Sequence, residues 1–434
     1  MDRSRHERIL AECVRTPAFR TRPRGPARVS VRAPVAVALS LLLLATAGCP
    51  PQEATPPGEP RHRQHAPAPS FRRSVKPPNP ASVWPPRAIW VVRQAWRSPQ
   101  EVANLMERCS QAGFNTVLFQ VRGNGTVFYR SRYEPWGEEY SGADPGFDPL
   151  EAAVHEAHAR GMALHAWVNV MPGWRGQQPP VDRRQLYNAH RDWFLRDQSG
   201  RLQPLGDFYV SVNPCLPEVR RYLVNVLQEI VGRYQVDGLH LDYIRFPLDK
   251  APRGSDYPYD ARTLELYRRA TGKRPQDSRW SWAQWRQGQV TQLVREIRRM
   301  CQHDRPGLRL TAACLPDVDE ARSRYFQDGP TWLNDGLVDA VFAMNYTADT
   351  GTFRRRQEAW MRAAPSRWVI PGIGAYLHTT DASTLAQLKL ADQWLRGFAF
   401  FSANSIFGPD ARSRQRLNAV QPPLLEMKQR AARR

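Results

Sequence analysis

Lysine is scarce in this sequence. Of 62 basic residues only five are lysine, and with 41 acidic residues the formal charge over 434 residues is +21. A surplus carried almost wholly by arginine is what a GC-rich coding sequence produces without any partner selecting for it. The excess is also spread out: residues 1–86 hold 14 Lys+Arg against 5 Asp+Glu, and the remainder holds 48 against 36. No basic stripe or nucleic-acid recognition motif accompanies it, so nucleic acid is not an expected partner. Cysteine is equally sparse, with six residues and no CxxC spacing, which argues against a structural zinc site. No HxH or HExxH occurs, so neither a metal nor a cofactor is expected. A GxSxG nucleophile elbow is missing, which disfavours a serine hydrolase. No GxGxxG follows a strand-like run, which disfavours a dinucleotide-binding open sheet.

Long apolar runs are limited to one, VAVALSLLLLA at 35–45. Eleven residues fall short of the roughly 20 that a membrane-spanning helix needs. The run follows an Arg-rich stretch ending at Arg32 and precedes Thr46-Ala47-Gly48-Cys49. It therefore reads as the apolar region of a signal peptide (residues 1–48), with small residues before a cysteine in the manner of a bacterial lipoprotein. Cys49 is the expected lipidation site, and the membrane is reached through that N-terminal lipid anchor. Pro50 rather than Asp after Cys49 favours the outer membrane, on its periplasmic face. Residues 49–86 are rich in proline and almost free of aliphatic residues, so they are expected to form an extended, disordered tether.

From residue 87 on, short β-rich runs alternate with helical patterns. Strands are expected at 88–92, 115–121, 163–170, 238–243, 309–313, 340–344, 368–373 and 398–402. Helices are expected at 99–112, 149–160, 217–234, 260–270 with 282–302, 320–334, 353–364, 384–395 and 410–419. Ser98-Pro99 and Asp148-Pro149 mark helix starts, and Gly113 and Gly161 mark ends. Eight strand–helix units in a row make an α/β chain of the (β/α)8 TIM barrel class, over residues 87–425, with 426–434 left as a basic tail. Cys109, Cys215, Cys301 and Cys314 are expected to be buried free thiols. A disulfide between Cys301 and Cys314 would have to join opposite ends of one layer.

Barrel chemistry sits at the C-terminal strand ends and in the loops that follow. On the second strand Gln120 and Arg122 share a face. On the third, His165, Trp167 and Asn169 alternate onto one face, because side chains repeat every two residues. The fourth reads DGLHLDYIRFP, with His240 and Asp242 on one face and Tyr243 and Arg245 in the mouth of its loop. Asn345 and Tyr346 stand at a later strand end, and Trp136 lies in the long loop after the second strand. An inward polar column is costly unless it binds something.

The blocks RAIWV (87–91), FNTVLFQVRGNG (114–125), EPW (134–136), GMALHAWVNV (161–170), VNPCLPEVR (212–220), DGLHLDYIRFP (237–247), AMNYT (343–347) and PGIGAY (371–376) together resemble the glycosyl hydrolase-like 10 family. Its members are bacterial (β/α)8 proteins, often exported or lipid-anchored. Where many of them carry His-Phe-Asp-Asp-Tyr on the fourth strand, this chain has His240-Leu241-Asp242-Tyr243, with one carboxylate of the pair. The resemblance implies hydrolysis of the O-glycosidic bonds of a polysaccharide, with cell-wall glycan strands as the expected polymer.

Such cleavage uses two carboxyl groups flanking the scissile bond. Asp242 is the first choice for nucleophile or base, and Asp317, after the fifth strand, for its partner. Asp207, Glu134, Glu138, Glu139 and Asp349 are the remaining candidates for that partner. Trp136, Trp167, Trp174 and Tyr346 suit the apolar faces of sugar rings. Gln120, Arg122, His165, Asn169, His240, Tyr243, Arg245 and Asn345 supply hydrogen-bonding groups for substrate. The alternative is a carbohydrate-binding lipoprotein that keeps the barrel and has lost turnover.

Overall fold

The computed structural model describes residues 75–79, 83–246, 248, 251–365 and 367–433. The expected signal segment, Cys49 and most of the tether lie outside them. The expected barrel is present. Eight parallel strands close in the order β1 (Arg87–Val91), β2 (Thr116–Arg122), β3 (Ala163–Asn169), β6 (Gly238–Asp242), β7 (Arg309–Cys314), β8 (Ala340–Ala343), β9 (Trp368–Ile373) and β10 (Phe398–Phe400), and β10 pairs back onto β1. Between β3 and β6 the chain makes an excursion containing an antiparallel pair, β4 (Pro172–Gly176) and β5 (Gly206–Ser211).

The helices start where the caps direct them. Ser98 accepts from the Glu101 amide ahead of the helix Pro99–Gln111. Asp148 accepts from the Leu150 and Glu151 amides ahead of Pro149–His158. In both, proline occupies the first turn, where its missing N–H costs no hydrogen bond. Gly113 and Gly161 hold the left-handed conformation that ends these helices.

Three expectations need correcting. The helical pattern at 320–334 is two helices, Val318–Tyr325 and Gly329–Asn334, separated where Phe326 takes a left-handed φ of 54°. The last helix runs Ala411–Ala432, through Pro422 and Pro423, so the segment read as a tail from 426 is helical to Ala432. The end of the stretch read as tether is packed. Val83 is buried, the Trp84 ring meets Trp368 edge-on at 5.3 Å, and the Arg309 guanidinium lies 4.2 Å from its centre. These contacts put the segment at the N-terminal end of the barrel, away from the mouth.

Two apolar layers make the core. One lies between strands and helices; the other fills the barrel and includes Ala88, Trp90, Leu118, Trp167, Phe342 and Ile370. Cys109, Cys215, Cys301 and Cys314 are buried free thiols, as expected. Inside the barrel Gly238 has no alternative. A Cβ there would come within 2.7 Å of the His165 ring and of the Arg309 carbonyl oxygen. Gly238→Ala is expected to lower unfolding free energy by about 1–3 kcal/mol, read as a lower denaturant midpoint at unchanged slope; an unaltered midpoint would contradict this packing.

Candidate active site

The site is built on the neighbouring ends of β3 and β6, where Asn169 pairs in register with Asp242. Asp242 is the only acidic residue in any of the eight barrel strands. Its carboxylate is oriented from two sides. Trp167 Nε1–H donates to Oδ2 at 3.1 Å, and the Tyr243 backbone N–H donates to Oδ1 at 2.6 Å. Tyr243 adopts a left-handed φ of 48°, a conformation that costs a non-glycine residue energy and clusters at functional sites. Its ring packs edge-on to Tyr209 at 5.1 Å and lies 4.3 Å from the Arg245 guanidinium. Burial first, then Tyr376 and Asp242, holds the Tyr346 hydroxyl well above its usual range. Burial, reinforced by Asp242, likewise keeps the Cys314 thiol protonated.

The structure thus brings Asp242, Trp167, Asn169, Tyr243, Arg245 and Tyr346 together. Other candidates are used elsewhere. Arg122 and Glu134 form a buried, two-pronged ion pair, with Nε to Oε2 and Nη2 to Oε1 both at 2.7 Å. Arg122 Nη1 also donates to the carbonyls of Asn169, Val170 and Pro172, and the Tyr222 hydroxyl donates to Glu134 at 3.3 Å. This pair is framework. Gln120 accepts from the Arg93 amide. Asn345 is fully buried, with its amide donated to the Phe353 carbonyl at 2.7 Å. Trp136 is half-buried in the loop after β2, edge-on to Tyr140. Trp174 is buried in β4 and donates to the Gln178 carbonyl.

The two histidines lie deeper. His240 is fully buried, and Trp90 Nε1–H donates to its Nε2 at 3.0 Å. An indole can only donate, so Nε2 carries no proton. The proton sits on Nδ1 and goes to Thr311 Oγ1 at 2.9 Å, which in turn donates to the Leu239 carbonyl. Both nitrogens are spent inside the core, which leaves none for a sugar hydroxyl. His165 is 1% exposed, and burial pushes its pKa down to about 4; its Nδ1 has no partner among the described residues.

Asp317 follows β7 but is exposed and caps its helix by accepting from the Glu320 amide. Asp349 caps Thr350–Ala363 in the same way. Glu139 pairs with Arg93 at 2.7 Å. Glu138 and Asp207 line a cavity of about 300 Å³ over the ends of β1, β2 and β3. Tyr209 and Arg93 were not foreseen. Tyr209 accepts from Asn169 Nδ2 at 3.5 Å, and against its burial Arg93 is held charged by Glu139. The only sequence signal for Tyr209 was the alternation in GDFYVS at 206–211.

Two outcomes follow from this geometry. Glu134→Gln leaves the Arg122 charge buried and unpaired and is expected to cost about 3–5 kcal/mol in denaturant unfolding; a loss below about 1 kcal/mol would mean the pair is dispensable. The unfolded chain protonates its imidazoles below pH about 6.5 while the folded chain keeps His165 and His240 neutral. Stability therefore falls as pH drops from about 6.5 toward 4, by about 1.4 kcal/mol per pH unit for each buried imidazole. His165→Gln should remove one such increment from the slope, and an unchanged slope would show that His165 titrates normally.

This geometry has relatives. A family model described as glycosyl hydrolase-like 10 matches residues 85–374. The glycosyl hydrolase DigH of Escherichia coli K12 is 29% identical over 373 aligned residues, covering 74% of this chain and 76% of that protein. The glycosyl hydrolase YngK of Bacillus subtilis is 28% identical over 290, covering 60% and 54%. Among solved structures, the glycoside hydrolase domain of PgaB (BpsB) from Bordetella bronchiseptica superposes with a TM-score of 0.54 at 15% identity, over 79% of this chain and 98% of its own. The catalytic domain of β-amylase from Paenibacillus polymyxa gives 0.55 at 9% identity, over 79% and 98%. Those two likenesses speak for the fold alone. A closed eight-stranded barrel with its one strand carboxylate at the mouth, matched by this family model across all but the last barrel strand, belongs to the glycosyl hydrolase-like 10 family.

Proposed function

We propose that the protein hydrolyses O-glycosidic bonds of a polysaccharide, with cell-wall glycan strands as the polymer, from a lipid anchor at Cys49 on the periplasmic face of the outer membrane. The observation that carries this reading is the placement of Asp242 at a strand end, held by Trp167 and the Tyr243 amide among aromatic rings. That environment suits a sugar, whose hydroxyls take polar groups and whose ring faces take aromatics.

Asp242 is the reactive carboxylate, acting as nucleophile or base. Its 5% exposure keeps bulk water off it, and the two donors fix the orientation of its oxygens. The partner carboxyl comes from a mouth loop, and Asp317, after the adjacent strand β7, is the first to test. Trp136 and Tyr346 are sugar-facing groups in this reading, while Asn169, Tyr243 and Arg245 orient the substrate.

Binding without turnover is the second reading, and one observation favours it. Among the described residues no second acid stands on a barrel strand beside Asp242, and Asp317 spends an oxygen capping its helix.

Incubation of the protein with purified wall glycan should release new reducing ends. Asp242→Asn should slow that release by about two to four orders of magnitude, the range of a lost acid–base group. Asp317→Asn should lose a comparable factor if it is the partner. Release unchanged in Asp242→Asn would overturn the catalytic assignment, and tight binding with no release would leave the binding reading in its place.

A further inference from the structure

The cavity beside the mouth is not used by the chemistry at Asp242. Arg93 and Gln94 follow the C-terminal end of β1, Asn124, Glu138 and Glu139 lie in the loop after β2, and Arg175, Gln177 and Asp207 belong to the β4–β5 hairpin after β3. Its walls thus come from the loops of three consecutive strands, while Asp242 ends the next strand in the barrel. The volume, about 300 Å³, lies at the lower edge of the roughly 300–1,000 Å³ of small-molecule sites.

The polar groups in this cavity divide into spent and available ones. Glu139 is neutralised by Arg93 at 2.7 Å and also takes the Gln94 amide at 2.9 Å. Asp207 accepts from Gln177 through Oδ1 at 2.9 Å. The Glu138 side chain makes no hydrogen bond or ion pair among the described residues, and partial burial together with Glu139 pushes its pKa up. Carboxylates are strong acceptors for hydroxyl donors, and vicinal hydroxyls of a sugar present such donors in pairs. Three carboxylates against two guanidiniums leave the cavity one negative charge in excess, so an anionic sugar would meet repulsion.

A second observation points the same way. The Asn169 side chain is 1% exposed, yet its Oδ1 has no partner among the described residues, and its Nδ2 reaches only the Tyr209 hydroxyl. Buried acceptors of this kind normally have partners. Asn169 stands between Asp242, its register neighbour, and Tyr209 on the β4–β5 hairpin, whose Asp207 lines the cavity. Half-buried Phe208 adds an aromatic edge beside Tyr209 and Tyr243 on the same lip.

We propose that this cavity is a saccharide subsite that holds one uncharged sugar unit through hydroxyls donated to Glu138 and Asp207, and that it gives the protein a preference for chains long enough to span from there to Asp242. The proposal rests on the saccharide reading above and adds to it the length of the preferred chain and the charge of the unit seated in the cavity.

The test is calorimetric titration of the full chain carrying Asp242→Asn, which prevents turnover, with the hexamer and the dimer of N-acetylglucosamine. The hexamer should bind at least about tenfold tighter than the dimer. Adding Glu138→Ala and Asp207→Ala should erase that margin, a loss of about 10- to 100-fold for two charge-assisted hydrogen bonds. Dimer affinity and melting temperature serve as references for an intact fold. A galacturonate hexamer, anionic on every ring, should show no comparable gain. A margin that survives the double substitution, or an anionic hexamer that outbinds the neutral one, overturns the subsite. Failure of both neutral sugars to bind overturns the saccharide reading along with it. Reducing-end release that is insensitive to Asp242→Asn, with the margin intact, removes the catalytic reading and leaves the subsite standing.

Discussion

The Arg122–Glu134 pair is the constraint on which the mouth depends. Two opposite charges with side chains 1% and 0% exposed are stable only when every lone pair and N–H is used. Here Glu134 takes both prongs of the guanidinium and the Tyr222 hydroxyl, and Arg122 Nη1 donates to carbonyls at the turn out of β3. One side chain thereby ties the end of β2 to its own long loop, to the start of the hairpin and, through Tyr222, to the helix Pro217–Arg233. The hairpin carries Tyr209, and Asn169 stands where the tied turn begins. The positions of Asp242's neighbours are therefore set by a charge pair that touches no substrate.

Below the mouth, polarity serves packing. The chain Trp90 to His240 to Thr311 to the Leu239 carbonyl is directional, and each link fixes the proton of the next. It keeps His240 neutral in a core where a charged imidazole would be costly. An inward polar column thus divides by depth. His240 is consumed by the core, and Asp242, two residues further along the strand, is presented at the opening with two donors aimed at it. His165 lies one layer below, in the space that Gly238 leaves.

The eight strands were legible because each is a short apolar run bounded by capped helices, and their observed bounds differ from the expected ones by at most two residues. The β4–β5 hairpin was not. Pro172, Gly173 and Gly176 break any strand pattern in β4, and its partner lies some thirty residues on, with no two-residue turn to announce the pairing. The helix through Pro422 and Pro423 contradicts the rule that proline ends a helix, and neighbouring residues gave no sign of the exception. At the candidate site, strand-end position singled out Asp242, Trp167 and Asn169, which the structure brings together. It could not separate substrate-facing groups from framework, since the partners that decide this are distant in sequence. Trp90 and His240 are 150 residues apart, and Asn169 and Tyr209 are 40 apart. The single fourth-strand carboxylate, a departure from the family's pattern, is the one that the Trp167 indole and the Tyr243 amide orient.

The central claim is that a glycan lies across the barrel mouth with a glycosidic bond at Asp242. A crystal structure of the Asp242→Asn protein soaked with a wall-glycan oligosaccharide tests it directly. A sugar ring is expected beside residue 242, with its glycosidic oxygen within about 3 Å of a carboxyl group from a mouth loop and neighbouring units extending over the β4–β5 hairpin. An oligosaccharide seated elsewhere on the barrel, with the mouth empty, would contradict it.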